Sequence, residues 1–563
     1  MAYFSLHAYD ADVWLREFRG LNQSDEMMNP DIRFAAEAEN VETIHGILQP
    51  QAAYDVMTGP TNDPEDCPRV ETFAYLARRW YDGPGSNVWY ICSAGGKLYQ
   101  KQAGLSDESE WTEIVLPTGV DAFQSSRWSW VTYEQEIETD SDDELDTTVD
   151  VLLMSNELDG MIMVLPPDKP NTWNAAKSAY VDWDGFASAG ENGTWSDVRS
   201  PLWTSEIIDN SVDPDDPEKP RQNFAVIERF GERIFGAGET DEPDRLAYSR
   251  SYDPTNWRPA NTDEQPEEGA GDVSQPSFDG DKFFALRRFG DQLLAFKKDK
   301  IWRVMGYNPG EYTFHEQYGR GTPYRDTIAV DGERVFMTDR DGVCVYDGMN
   351  TTSYMRTAVE KIWRTVNRDA MDQMCAVLFE RRYYLAFPTG DSAVNNAMLV
   401  YDMEEGSILF YPDMKIEAFL PANDELFATS SSLPGKILRI HHNAWVTGRA
   451  SGSATKWVSP WMDFGYKSIQ KGGFDFYFLP EVKDTAVEFT ITMQTEKKRK
   501  TKTYTCNPLT EEQLAVPKEH KVKRLHFGGS GRKFRLILET AEGVTAPWRI
   551  IGGLHLIVET DPD

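Results

Sequence analysis

The chain has 563 residues, 40% of them hydrophobic and 12% aromatic, so it can bury large cores in more than one domain. Its formal net charge of −35 excludes binding to nucleic acid by general neutralisation of phosphates, because such an acidic surface repels them. The five cysteines are odd in number, widely separated and in no Cys-x-x-Cys pair, which argues against a disulfide framework or a zinc site.

The start of the chain, residues 1–10, lacks the basic residues and the apolar stretch of a signal peptide. No run anywhere approaches the ~20 apolar residues that span a bilayer. We therefore expect a soluble chain that is made inside a cell and has no membrane-spanning segment. Residues 1–51 also lack the strand pattern that follows. We interpret them as an N-terminal segment that closes the next domain by adding a strand to its last sheet.

A degenerate unit recurs over residues 52–445. It consists of an aromatic-rich apolar strand, a short Gly/Asp turn, a returning strand and a polar loop that often carries Trp. The copies are 87–99, 151–165, 233–257, 293–305, 334–346, 383–401 and 426–440. Hairpins repeated without regular helices between them predict an all-β chain with a β-propeller of about six to eight blades. One short helix is expected at 359–366.

Much of the acid lies in Pro- and Gly-containing loops, which we interpret as solvated insertions. They are 139–146, 209–218, 239–244 and 263–272. The first is a poor calcium loop, since Leu145 stands where such a loop needs Gly. The segment Ser251–Trp257 (SYDPTNW) is similar to the Asp box of sialidase propellers but lacks its glycine. We predict an Asx-type turn at Asp253, with Trp257 folded back onto its sheet.

From about residue 446 the pattern changes to strict apolar–polar alternation, most clearly at 487–494 (VEFTITMQ). Alternation means one buried and one solvated face, and it predicts a separable, jelly-roll-like β-sandwich over 446–563. This region carries the strongest positive cluster of the chain. Its cations either guard a solvated edge strand or contact an acidic surface, such as another copy of the protein. The candidate inter-subunit contact residues are Lys497, Lys498, Arg499, Lys500 and Lys502.

Catalytic signatures are absent from the sequence: it has no GxSxG elbow, P-loop, GxGxxG fingerprint or HExxH. His441 and His442 are adjacent, and neighbours in a strand face opposite sides, so this pair is a poor grip for one metal ion. We therefore predict no enzymatic activity, no cofactor and no catalytic or metal-binding residue. A glycoside hydrolase stays open, because it needs only a carboxylate pair, which sequence cannot nominate among 92 acids.

Segments in all three parts of the chain resemble the β-propeller tail proteins of tailed bacteriophages, of the nozzle or tail tubular protein B class. The resemblance lies in FRGLNQSDE with AENVETIHGILQP, RIFGAGETDEPDRLAYSRSYDPTNW, and SPWMDFGYKSIQK with VEFTITMQTEKKRKTKTY. It implies a virion tail protein, assembled in the host bacterial cytoplasm, that forms a ring, commonly a hexamer, below a portal or adaptor. Its partners would be other copies, neck or tail proteins, and DNA in transient passage. The resemblance supplies no active site.

Two function hypotheses follow. The first is a structural tail protein whose acidic walls let DNA slide without binding it. The second is a glycan-binding or glycan-hydrolysing β-propeller that acts on a host surface.

Overall fold

The fold is known from a computed structural model, which describes most of the chain. The described residues are 11–24, 31–60, 69–79, 85–105, 111–117, 119–137, 147–166, 172–174, 179–181, 204–208, 223–257, 269–274, 281–317, 320–449, 453–463, 470–508, 510 and 522–561. Strands dominate these ranges, and the few helices are single turns. The predicted all-β class is therefore confirmed.

Seven short strands precede the repeats. They are β1 (Ala11–Leu15), β2 (Arg19–Leu21), β3 (Phe34–Ala35), β4 (Glu37–Glu39), β5 (Val41–Ile44), β6 (Ile47–Pro50) and β7 (Tyr54–Met57). Strands β2 and β3 form a small parallel pair, and β5 and β6 form a hairpin. The remaining members of this group pair with distant parts of the chain, as described below.

The middle of the described chain forms seven four-stranded antiparallel sheets. The first sheet contains β8 (Val70–Ala77), β9 (Val88–Ala94), β10 (Lys97–Gln102) and β11 (Thr112–Glu113), and the second contains β12 (Ser129–Ile137), β13 (Thr147–Asn156), β14 (Gly160–Leu165) and β17 (Thr204–Ile207). Strands β15 (Thr172–Asn174) and β16 (Ala179–Val181) form a separate pair between β14 and β17 in the chain. The third sheet contains β18 (Val226–Phe230), β19 (Arg233–Ala237), β20 (Arg245–Tyr248) and β21 (Gly271–Ser274), and the fourth contains β22 (Ala285–Phe289), β23 (Gln292–Phe296), β24 (Ile301–Met305) and β25 (Thr313–Gln317).

The remaining three sheets follow in the same order along the chain. They contain β26 (Ala329–Val330), β27 (Val335–Asp339), β28 (Gly342–Tyr346) and β29 (Thr351–Tyr354); β30 (Cys375–Phe379), β31 (Arg382–Phe387), β32 (Ala397–Asp402) and β33 (Ser407–Pro412); and β34 (Ile416–Ala422), β35 (Glu425–Ser430), β36 (Ile437–Ile440) and the early strand β7. Short helices flank them: η1 (Arg325–Thr327), α1 (Glu360–Trp363), η2 (Arg368–Gln373) and α2 (Ala444–Thr447). Helix α1 lies inside the predicted helical segment 359–366.

These sheets are arranged as a ring. The first strand of each sheet contacts the first strand of the next, from β8 through β12, β18, β22, β26 and β30 to β34, which contacts β8 again. Apolar clusters fill the space between neighbouring sheets. Separate four-stranded sheets packed face to face around a ring are the arrangement of a β-propeller. First strands that meet at the centre necessarily surround a channel.

The ring is closed by β7, which pairs antiparallel with β36 as the outer strand of the seventh sheet. This strand lies just beyond the N-terminal segment 1–51, so the prediction that this segment supplies the closing strand needs correction. The reason is the apolar pattern of the earlier strands, whose buried faces fit a different core.

The two ends of the chain together build two further sheets. The C-terminal strands are β37 (Thr455–Val458), β38 (Gln470–Val482), β39 (Val487–Thr495), β40 (Arg499–Cys506), β41 (Lys523–Phe527), β42 (Phe534–Thr540) and β43 (Trp548–Asp561). One sheet has the order β41-β38-β43-β6-β5, with β1 also paired to β43, and the other has the order β4-β37-β42-β39-β40. Inward residues of both, such as Phe476 and Ile491, share one buried cluster. The N-terminal segment thus contributes β1, β5 and β6 to one of these sheets and β4 to the other.

The N-terminal segment also joins these sheets to the sixth sheet of the ring. The Asn40 amide donates to the Phe410 carbonyl at 3.1 Å, and the Tyr411 hydroxyl donates to Glu42 at 3.2 Å. Gly20 lies so close to β33 that a Cβ there would stand 2.4 Å from backbone atoms of Ile408. Hydrogen bonds and close backbone packing therefore fix the segment between the ring and the C-terminal sheets.

The turn at 251–257 has the predicted conformation. The Asp253 carboxylate accepts a hydrogen bond from the Thr255 amide at 3.1 Å, which is an Asx turn. The Trp257 ring packs on Phe224 with ring centroids 4.8 Å apart. Among the residues that the structure describes, no helix combines the length and the apolar character needed to cross a bilayer.

Candidate functional site

The channel of the ring contains a cavity of about 150 Å³. First strands and the loops that lead into them supply its walls, so the site gathers residues that are far apart in sequence. The lining residues with polar or aromatic side chains are Glu71, Thr72, Phe73, Arg127, Trp128, Trp130, Arg287, Arg325, Asp326, Cys375, Glu417 and Phe419. A concave site with a few converging charged groups among rings is what a small polar ligand requires.

Asp326 is the centre of an ion-pair network in this cavity. Arg325 Nε donates to its Oδ1 at 2.8 Å, and Arg127 Nε donates to its Oδ2 at 2.9 Å. Burial raises the pKa of this carboxyl group, but the two guanidinium groups outweigh burial and hold the pKa well below its ordinary value. The pKa of Arg127 is raised, chiefly by the charge of Asp326. Asp326 is therefore an ionised carboxylate at neutral pH.

Glu417 presents the second carboxylate. Its side chain is 7% exposed, and its Oε1 pairs with Arg69. Its Oε2 is buried and has no hydrogen-bond partner among the described residues. A buried polar atom without a partner costs about 1–3 kcal/mol, which a ligand that donates a hydrogen bond would recover. Glu417 is also one of the residues that line the cavity.

Cys375 also lines the cavity, but its chemistry is inert. Burial, aided by the negative charge of Asp326, raises the pKa of the thiol far above its ordinary value. The Asn395 side-chain amide lies 3.7 Å from the sulfur and donates to the Ile416 carbonyl at 2.8 Å. A thiol held neutral in this way is neither a nucleophile nor a metal ligand at neutral pH. The strand residues Cys92 and Cys344 are buried as well.

Aromatic side chains supply the apolar wall of the cavity. Trp128 is buried and donates from its indole N–H to Ser93 at 3.2 Å. Trp130, two residues further on and inside β12, is half-buried and packs edge-on against Tyr75, with ring centroids 5.7 Å apart. Phe419 is likewise half-buried. Rings beside carboxylates allow a ligand to place an apolar face and hydroxyl groups at the same time.

A second polar cluster lies where the N-terminal segment meets the sixth and seventh sheets. Glu42 is buried there, and burial raises the pKa of its carboxyl group. The Tyr384 hydroxyl lies 2.6 Å from His442 Nε2, and burial lowers the pKa of this imidazole to about 3. The adjoining cavity is only about 20 Å³, which is room for a single water molecule. We assign this cluster to the junction rather than to a ligand site.

His441 and His442 follow the end of β36 rather than lying within a strand, and their rings have different neighbours. His441 Nε2 lies 2.7 Å from Asp55, whereas His442 turns to Tyr384, so the two rings have separate partners. No cluster of three or more metal-ligating side chains occurs among the described residues. Two acidic loops, 139–146 and 209–218, lie outside those residues.

The five cations predicted to contact another subunit lie far from the ring channel in the fold. They occupy the turn after β39 and the exposed strand β40, which is the edge of its sheet. The Lys502 Nζ lies over the Phe527 ring, 5.6 Å from its centroid, and an Arg499 guanidinium nitrogen lies 3.9 Å from Glu539 Oε2. Edge strands that carry several cations resist uncontrolled pairing. Their role in subunit contact stays a prediction.

The comparisons with known proteins are distant. No protein-family model matches the chain, and no curated protein matches it. An exo-β-1,3-galactanase from Phanerochaete chrysosporium with galactose is similar at 11% identity over 59% of this chain and 94% of that chain, with a TM-score of 0.23. The Pan2 WD40 domain of Neurospora crassa is similar at 7% identity over 70% of this chain and 98% of that chain, with a TM-score of 0.32. The AfRom2 CNH domain is similar at 8% identity over 70% of this chain and 99% of that chain, with a TM-score of 0.33.

The prediction that the chain is not an enzyme is wrong on this comparison, because the galactanase is a glycoside hydrolase. The physical reason lies in the chemistry of that reaction. Glycoside hydrolysis needs two suitably placed carboxyl groups and no nucleophile elbow, phosphate loop or metal motif. The absence of those motifs therefore excludes nothing here.

Sequence reasoning named neither Asp326 nor Glu417. Both stand beside basic or apolar residues in segments that look like ordinary strand starts. One signal was available: Asp326 and Glu417 lie just before the predicted hairpin copies 334–346 and 426–440, where the first strand of a propeller sheet is expected, and first strands line the channel.

Proposed function

We propose that the protein is a glycan-binding or glycan-hydrolysing β-propeller whose site is the ring channel. The observation that carries the proposal is the buried Oε2 of Glu417, which lacks a partner among the described residues and belongs to a side chain that lines the channel cavity. A sugar hydroxyl is the simplest group that would satisfy it. The nearby rings of Trp130 and Phe419 suit the C–H face of the same sugar.

The two carboxylates have different surroundings, which is the condition for dividing the work of glycoside hydrolysis. Asp326 is held in the ionised form by two guanidinium groups, and all three side chains line the cavity, where the guanidinium groups offer N–H donors to sugar oxygens. Glu417 is held by a single cation on one oxygen, and its other oxygen is buried without a partner among the described residues. It is the better placed of the two to exchange a proton with a glycosidic oxygen.

The cavity also limits the size of the ligand. Pockets that enclose drug-sized molecules measure about 300–1,000 Å³, whereas this one holds about 150 Å³. It therefore suits one sugar unit rather than a long segment of polysaccharide.

Replacement of Glu417 by Gln tests this proposal. The amide keeps the shape of the side chain, but it cannot exchange a proton, and it accepts a hydrogen bond from a sugar hydroxyl less strongly than a carboxylate does. We therefore expect at least a tenfold loss of sugar binding or hydrolysis. A panel of free hexoses would be tested by calorimetry, and 4-nitrophenyl glycosides, the β-galactoside included, for release of nitrophenol. The exposed Glu404→Gln serves as a control. Equal activity of parent and Glu417→Gln, or no response of the parent to any sugar, would reject the proposal.

A second candidate function is a subunit of an oligomeric ring in a phage tail. The observation that favours it is the exposed edge strand β40, whose cations contrast with a net charge of −35. An acidic surface of a second copy is a complementary partner for such a strand. The virion location, the neck or tail partners and the passage of DNA all stay predictions.

Charge reversal tests the second candidate. Replacing Lys497, Lys498, Arg499, Lys500 and Lys502 by Glu should abolish ring formation without unfolding the chain, because exposed charges alter stability little. The parent ring should dissociate as salt rises, since such contacts are screened over ~8 Å at physiological ionic strength. Sedimentation of the variant beside the parent measures this, with Lys533→Glu as a control. A ring population unaffected by the five substitutions, or a monomeric parent, would contradict the assignment.

A further inference from the structure

A row of stacked side chains crosses the outer face of the six-stranded sheet. Trp14 on β1 lies directly opposite His555 on β43, which lies opposite Tyr477 on β38, which lies opposite Arg524 on β41. Because residues directly opposite in neighbouring strands point to the same face, the four side chains stand side by side. None of them takes part in the channel cavity.

The rings in this row are held in fixed orientations. The Trp14 and His555 centroids are 3.9 Å apart with 15° between the planes, and the His555 and Tyr477 centroids are 5.3 Å apart with 26° between the planes. The Arg524 guanidinium caps the far side of Tyr477 at 5.8 Å. Despite this stacking, Trp14 remains 56% exposed: His555 covers one face of the indole, and β1 lies at the edge of the described sheet.

We propose that this row is a saccharide-binding platform, in which the free face of Trp14 receives the apolar C–H face of a neutral sugar ring. The indole face carries partial negative charge and attracts the polarised C–H bonds of a pyranose, as it attracts the positive edge of another ring. Stacking against His555 fixes the indole before a ligand arrives, so little conformational entropy is lost on binding.

Polar groups along the row complete the platform. Asp475 accepts a hydrogen bond from Arg524 Nε at 3.1 Å, and His526 Nδ1 lies 3.2 Å from the same carboxylate. Arg524 and His526 are both more than half exposed. Their remaining N–H groups and the Tyr477 hydroxyl can meet hydroxyl groups of a second sugar unit along the row.

The size of the apolar surface favours a sugar over a protein partner. A stable protein interface buries about 800 Å² on each side, whereas one aromatic side chain contributes at most about 250 Å². Trp14 is the large, mostly exposed apolar side chain of this row, and its neighbours Tyr477 and His555 are half-buried. A second copy of the chain would find too little area here, but one sugar face is covered in full.

This inference is independent of the channel. The two surfaces belong to different sheets, so one can fail without the other. A platform on the C-terminal sheets would hold a polysaccharide while the channel cavity binds a single sugar unit.

Affinity electrophoresis of the full chain through gels that contain a β-glucan, a galactan or a mannan tests the platform. We expect at least one polysaccharide to retard the parent, Trp14→Ala to weaken the retardation about tenfold, and Trp14→Tyr to retain part of it. Trp461→Ala is the matched control, because Trp461 is also exposed but is covered by Arg535 at 5.1 Å. It should migrate like the parent.

Thermal melting of each variant would verify that the fold is intact, as an exposed edge side chain predicts. Equal retardation of Trp14→Ala and the parent would overturn the proposal, as would a parent that no polysaccharide retards. A shift of Trp14→Ala from dimer to monomer in sedimentation, without loss of retardation, would assign the row to self-association and also overturn it. Loss of retardation in Trp14→Ala with unchanged behaviour of Glu417→Gln would support the platform and leave the channel to be judged separately.

Discussion

Removal of residues 1–50 is expected to unfold the two C-terminal sheets. The deletion takes away β1, β4, β5 and β6, which belong to those sheets, and it removes large apolar side chains from their shared core. Those fully buried side chains are Leu15, Phe18, Leu21, Val41 and Leu48. At about 1.5–3 kcal/mol for each, the loss is on the order of 10 kcal/mol, which equals the stability of a typical domain. Soluble yield and the loss of a cooperative melting transition measure the effect.

Two adjacent glycines give a sharper control for the same claim. Gly552 and Gly553 both have positive φ values, so alanine strains either of them by a similar amount. A Cβ on Gly553 would lie 1.7 Å from the Leu15 carbonyl of β1, whereas a Cβ on Gly552 would have no atom within 4 Å. Gly553→Ala should therefore lower the free energy of unfolding by about 1–3 kcal/mol more than Gly552→Ala does. Equal losses, or a stable fragment lacking residues 1–50, would show that β1 does not support β43.

The second large effect concerns Asp326. The substitution Asp326→Asn leaves Arg325 and Arg127 without their shared counter-charge. We therefore expect the free energy of unfolding to fall by about 1–3 kcal/mol at pH 7. This value is smaller than for a fully buried ion pair because the Asp326 side chain is partly exposed. The folded-state pKa of Asp326 is lower than the ordinary value of 3.8. Its stabilising contribution is therefore complete above that value and is lost as pH falls through and below it.

Urea denaturation of the parent and of Asp326→Asn would be compared from pH 7 down to the lowest pH at which both remain folded. The difference in free energy of unfolding between the parent and Asp326→Asn should narrow below about pH 3.8. In that range Asp326 becomes protonated in the unfolded parent but stays ionised in the folded parent. Asp372→Asn is a suitable control, because Arg127 contacts the backbone carbonyl of that residue rather than its carboxylate. A gap that stays constant across this range would show that Asp326 is not held in the ionised form.

Local patterns predicted the strands well, because each hairpin carries its own alternation and turn residues. The Asx turn at Asp253 and the helix near Glu360 were predictable for the same reason. The pairing of β1 with β43 was not, since it joins residues more than 500 positions apart in the chain and no local signal specifies a partner at that distance. Short apolar strands such as Val41–Ile44 fit either the ring or the C-terminal sheets equally well by pattern.

The candidate site was harder to predict than the fold. Asp326 and Glu417 line one cavity only when the fifth and seventh sheets of the ring are assembled, so neither has a sequence neighbour that marks it. The basic segment at Lys497–Lys502 was visible because charge clusters are local. The sequence therefore favoured the surface feature and missed the channel.

The most direct test of the account is a crystal structure of the protein soaked with the sugar that binds it best. The account predicts a sugar ring in the channel cavity, with a hydroxyl within about 3 Å of Glu417 Oε2. A sugar bound elsewhere while that oxygen meets only solvent would contradict the central claim.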